Sequence, residues 1–188
     1  NFYALSSYYL GSFFSPLVYF FNVQSMPDAV YLITLLKFGA IGLSAYISLH
    51  GIFSKIPRCL VLTLSTSFAL MSFAISQIEI KTWLDVFILA PLILYGFKKL
   101  IYNEGEVLYF ISLTSLFIQN YYFGFMMSIF LILWYLTQLS WNIKKIGKRF
   151  FHFVIVSLLS VITSLVMLYP TFLDLRTHGE SFSKVDSI

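Results

Sequence analysis

Two charged residues stand where an apolar chain has least use for them: Lys37, inside the run 29–49, and Asp85, at the head of the run that ends near Phe97. A carboxylate withdrawn from water beside an indole, as Asp85 is beside Trp83, is a competent general base. Thr82-Trp83-Leu84-Asp85 also has the spacing of a helix N-terminal cap, with Thr82 as cap and Asp85 three residues on, favoured by the helix dipole. Both readings of Asp85 stand. Lys37 has three: it pairs with a carboxylate, holds a lipid phosphate, or snorkels to the interface. A lone ammonium there predicts that Lys37→Met leaves the fold intact or more stable.

Asn120-Tyr121-Tyr122-Phe123-Gly124 joins an amide to aromatic faces, a set that suits sugar hydroxyls and equally suits an aromatic belt at a hairpin tip. Arg176 and His178, past the last apolar run, are candidates to stabilise a phosphate leaving group; a surface cation beside lipid headgroups is the simpler account. Glu79 reads as a solvated loop charge. The chain has no HExxH, no GxSxG and no Gly-rich phosphate loop, so the soluble catalytic templates fail. No zinc spacing exists, and no ligand pair demands a divalent metal, although the site chemistry is compatible with one. The single Cys59 makes no internal disulfide.

The elements that must carry these residues are set by lipid. The 37 residues from Val107 to Ile143 contain no Asp, Glu, Lys or Arg. As one helix they would run roughly 55 Å, against a hydrocarbon core of about 30 Å, so the stretch must fold back at the Gln119–Gly124 knot. Hydrophobic residues make up 59% of the chain and charged residues 11%, which excludes an ordinary soluble domain. The expected fold is an all-α integral membrane bundle of about six spans: 29–49, 59–78, 86–97 (extended toward 102 by snorkelling Lys98 and Lys99), 107–119, 122–141 and 150–169, with Pro170 as a stop. Nine of the first 21 residues are Phe or Tyr, broken by Ser and Pro, so 1–28 reads as an interfacial or re-entrant segment. Residues 29–170 form the bundle, and 171–188 the start of an outer loop. The opening at Asn1 without Met or a basic n-region, and the polar close at Ile188, read as a piece of a longer protein.

The charges orient this layout. Loops 50–58, 98–106 and 142–149 would share one side and hold eight of the twelve basic residues, which marks them as cytoplasmic. The net charge of +4 is thereby a topology signal and gives no reason to expect a nucleic-acid partner. Six of the eight acids, Asp85 among them, would face outward.

Four motifs taken in order resemble the YfhO-type bacterial membrane proteins, of the GT-C class of lipid-linked-sugar glycosyltransferases. Asn1-Phe2-Tyr3 with Tyr8-Tyr9 and Ser15-Pro16 looks like that family's first outer loop. Leu36-Lys37-Phe38-Gly39 with Ser44-Ala45-Tyr46 looks like its next span. Trp83-Leu84-Asp85 with Pro91-Leu92-Ile93 and Gly96 looks like its tryptophan-aspartate segment, and Asn120-Tyr121-Tyr122 with Gly124-Phe125-Met126 like its asparagine-tyrosine hairpin. The resemblance implies sugar transfer from a polyprenyl-phosphate donor to an acceptor outside the bacterial cell membrane, such as a cell-wall polymer (lipoteichoic acid) or lipid. The family's leading outer-loop acid would lie before Asn1. On this reading Asp85 assists or positions the acceptor, and Lys37 or Arg176 holds the phosphate. Trp83, Asn120, Tyr121 and Tyr122 line the substrate. A transporter or flippase of lipid-linked sugars is the competing class, and a non-catalytic assembly partner the third.

Overall fold

A computed structural model describes residues 12–78, 80–141 and 147–185, and the described residues are all-helical. Seven α-helices follow one another: α1 (Met26–Ile52), α2 (Arg58–Ala69), α3 (Ser72–Ser76), α4 (Lys81–Tyr102), α5 (Val107–Gln119), α6 (Tyr121–Trp141) and α7 (Phe150–Val185). Short 3-10 turns at Ser15–Phe20 and Val23–Ser25 precede α1 and pack on it. This is the described part of the aromatic opening segment; residues 1–11 lie outside the described residues, as do Glu79 and residues 142–146.

The helix ends follow local chemistry. Pro27 and Asp28 open α1, where a missing N–H costs nothing and a carboxylate meets the positive end of the dipole. At its other end the Lys98 ammonium, from α4, donates to Gly51 O at 3.0 Å and Ile52 O at 2.8 Å, satisfying carbonyls that have no partner within the helix. Lys98 therefore ties two helices together. Asn103, with φ of 64°, closes α4 in the left-handed conformation. Asn103 N donates to Leu100 O and Glu104 N to Lys99 O, the bonding pattern of a Schellman stop.

Two elements depart from the sequence expectation. The run 59–78 is broken between α2 and α3, at Leu70–Met71. Thr63, Ser65 and Thr66 each return their hydroxyl to the carbonyl four residues back, which loosens and bends a helix. The last helix does not stop at Pro170, and no loop begins at 171: α7 continues to Val185. Proline removes one backbone donor, but its fixed φ is helical, and apolar helices tolerate that loss.

The helices pack as a series, α2 on α1, α1 on α4, α4 on α5, and α5 on both α6 and α7. The main core joins Val86, Leu89, Ile93 and Phe97 of α4 to Tyr109, Leu113 and Leu116 of α5, closed by residues of α6 and α7. Small residues set the spacing. A Cβ on Gly96 would lie 2.6 Å from the Tyr109 backbone N, so α4 and α5 touch main chain to main chain there. The Tyr109 hydroxyl then bonds Ser157 of α7 at 2.8 Å. A second core gathers Ile41, Ala69, Ala74 and Leu84, where α1 to α4 meet.

Outward faces are apolar. Leu43 on α1, Leu62 on α2, Phe125 and Leu133 on α6, and Ile155 and Ile162 on α7 are all more than half exposed. Surfaces of that kind belong against lipid. Among the described residues, three helical stretches are long and apolar enough to cross a membrane: Val23–Ile52, Arg58–Ser76 and Tyr121–Leu139. The apolar helices Val107–Gln119 and Phe150–Val166 are shorter.

Candidate functional site

Lys37 and Asp85, 48 residues apart in the chain, meet where α1 crosses the start of α4. The Lys37 ammonium donates to Asp85 Oδ2 at 2.9 Å, and each side chain is only 1% exposed. Lys37 does not snorkel to an interface; it is buried and bound to a carboxylate. Nor do Thr82 and Asp85 form a cap. The cap position of α4 is Ile80, which makes no side-chain bond, and Thr82 Oγ1 has no hydrogen-bond partner among the described residues. The helix starts two residues too early for Thr82 to cap it.

The pair sits in a mixed shell. The Phe14 ring lies 5.8 Å from the ammonium, a cation–π contact that softens the cost of burying it. The Ser12 hydroxyl stands beside the Asp85 carboxylate, and Asp85 Oδ1 makes no hydrogen bond among the described residues. A buried carboxylate oxygen with an unused acceptor face is equipped to receive a proton or a hydroxyl donor.

The hairpin between α5 and α6 belongs to the same end of the bundle. The Trp83 ring meets the Phe123 ring edge-on at 5.3 Å, joining the first turn of α4 to the first turn of α6. Asn120 is extended and buried, and its Oδ1 accepts from Phe123 N at 3.2 Å. Its side-chain oxygen is thus the N-cap of α6, the reason the apolar stretch turns there. Tyr121 and Tyr122 are exposed at this end, and no described contact joins them to Asp85. Arg176 lies on the distal part of α7, and its side chain is outside the described residues, as is that of His178.

Sequence reasoning passed over Gln119 and Thr82 as site residues. Gln119 is 3% exposed, and neither of its amide atoms has a partner among the described residues. The available signal was a carboxamide closing the apolar run Val107–Ile118, directly before the turn. Among the described residues no group of three or more His, Cys, Asp or Glu comes together to hold a metal ion.

Apolar outer faces and helices long and apolar enough to cross a bilayer define a helical membrane protein. The chain belongs to the bacterial membrane protein YfhO family, which it matches over residues 1–188. Comparison with curated proteins and with solved structures gives no match.

Proposed function

We propose that the full-length protein is a membrane glycosyltransferase that moves a sugar from a polyprenyl-phosphate donor to an acceptor outside the cell, such as a cell-wall polymer. The observation that carries this reading is the buried Lys37–Asp85 pair, with one carboxylate oxygen unused. Membership of the YfhO family supports it. Asp85 takes or positions the acceptor hydroxyl's proton as the oxygen attacks the anomeric carbon, and the donor's phosphate leaves. Lys37 is bound to that carboxylate, so its first task is to hold Asp85. A cation for the departing phosphate then comes from Arg176 or from residues outside this chain. Trp83, Tyr121 and Tyr122 offer aromatic faces to the sugar or lipid at the same end.

In this reading the six apolar runs span the membrane, the aromatic opening segment lies at the outer interface, and the Asp85 end faces outward. In a background without Cys59, a cysteine at Gly147 should be labelled by a membrane-impermeant reagent only after permeabilisation. Labelling of intact cells at Gly147 would overturn the orientation.

The activity test is Asp85→Asn in full-length protein reconstituted with a polyprenyl-phosphate sugar. Transfer should fall by about 10²–10⁴-fold while donor binding persists. Normal transfer by a folded variant would leave Asp85 a structural partner of Lys37. One observation favours a flippase as the second reading: a charged pair beside the broken α2–α3 helix and the proline-containing α4 is also transporter architecture. Movement of labelled donor lipid across the reconstituted bilayer without sugar transfer would select it.

A further inference from the structure

Four buried polar atoms at the Asp85 end have no hydrogen-bond partner among the described residues: Thr82 Oγ1, Asp85 Oδ1, and both Nε2 and Oε1 of Gln119. By register, Thr82 on α4 and Gln119 on α5 lie within about one helical turn of each other along the α4–α5 contact. The Gly96–Tyr109 approach fixes the register of that antiparallel pair. Val86 is ten residues before Gly96, and Gln119 is ten after Tyr109. At about 1.5 Å per residue both lie roughly 15 Å from the crossing, so they are level. Thr82 lies one turn further along the stripe of Val86, Leu89, Ile93 and Phe97, the face of α4 that packs on α5. Gln119 continues the buried stripe of Ser112 and Leu116 on α5.

Leucine and valine at these two places would simply extend the core. A buried carboxamide with neither donor nor acceptor used is unfavourable for the fold alone, and a second unbonded hydroxyl beside it compounds the cost. The chemistry is complementary to a polyol: an amide presents an acceptor and two donors side by side, and a hydroxyl presents both. The level is right as well, since Asp85 adjoins Val86 in the same turn of α4 and offers the fourth unused atom. The exposed Tyr121 and Tyr122, two and three residues after Gln119 at the end of the bundle, mark the way in.

We propose that Gln119 and Thr82 are the binding residues of a subsite that reads the hydroxyls of the donor's sugar and sets it beside Asp85. The proposal rests on the glycosyltransferase reading above. Trapped water would satisfy the same atoms, and the test separates the two.

Full-length protein in detergent is titrated with undecaprenyl phosphate alone, and with undecaprenyl phosphate carrying glucose, galactose or N-acetylglucosamine. The wild type should bind at least one sugar-bearing lipid more tightly than the bare lipid. Gln119→Leu should lose that preference, binding the sugar lipid about tenfold more weakly, which is the worth of one or two hydrogen bonds, while keeping its affinity for the bare lipid. Its unliganded form should melt no lower than the wild type, because an unpaired amide has been removed. Thr82→Val should repeat the pattern with a smaller loss. An unchanged sugar preference in both variants would overturn the subsite and leave the transferase reading intact. A ligand-free Gln119→Leu that unfolds, or melts well below wild type, would show a water-bonded structural amide and overturn it equally. A wild type that prefers no sugar lipid over the bare lipid would overturn the glycosyltransferase reading, and the subsite with it.

Discussion

Each end of the helix bundle holds an acid paired with a base, and the two pairs sit in opposite electrostatic regimes. Lys37 and Asp85 are 1% exposed. Glu106 and His152, which join the starts of α5 and α7 at the other end, are 48% and 41% exposed, and they border an open pocket of about 520 Å³ with Glu104 and Arg149. Water can solvate either partner of the second pair if the contact opens, so that pair is worth about 0–1 kcal/mol. Water reaches neither partner of the first. There the ions depend on one another, and the unused atoms around them have no solvent to turn to. The contrast separates an end assembled for solubility from an end that retains costly polar groups, and costly polar groups are where function is to be sought.

Removing one ion of the buried pair should have the largest effect. Lys37→Met leaves the Asp85 carboxylate buried without its cation and should destabilise the full-length protein by about 3–5 kcal/mol, read as thermal unfolding in detergent. The sequence alone pointed the other way, because it assumed an ammonium isolated in its helix. Adding Asp85→Leu to Lys37→Met should restore much of the loss, since an apolar pair replaces an ion pair at little cost or with a gain. If the single variant is as stable as the wild type, the pair is not buried in the membrane-embedded protein, and the contrast between the ends collapses.

The joint between the ends comes next. Gly96→Val forces side-chain atoms against the Tyr109 backbone and should cost about 1–3 kcal/mol by the same measurement, because neither main chain can retreat without unpacking the main core. A neutral result would mean that the α4–α5 register is looser than this contact requires.

The exposed pair should give the smallest response. Glu106→Gln removes the charge facing His152, and stability should change by less than about 1 kcal/mol and shrink further in high salt. A loss comparable to that of Lys37→Met would abolish the distinction.

Much of this protein was legible in the chain. Apolar runs too long and too free of charge for water announced helices in lipid, and the breaks in them marked most of the turns, because solvent transfer and helix propensity are local costs that each segment meets by itself. Lys37 and Asp85 stood out for the same reason, as charges in the wrong solvent. What they do there was not legible. Thr82 to Asp85 has the spacing of a cap, and Pro170 resembles a stop. In the folded chain Asp85 serves a lysine 48 residues away, Asn120 caps α6, and α7 runs on through Pro170. Gln119 looked like part of a turn, and only the packing of α5 leaves its amide buried and unanswered. These outcomes depend on which helix faces are brought together and at what height. The α4–α5 register is set by the Gly96–Tyr109 contact. A side chain's neighbours across a helix interface are a property of the register, and no window of sequence contains it.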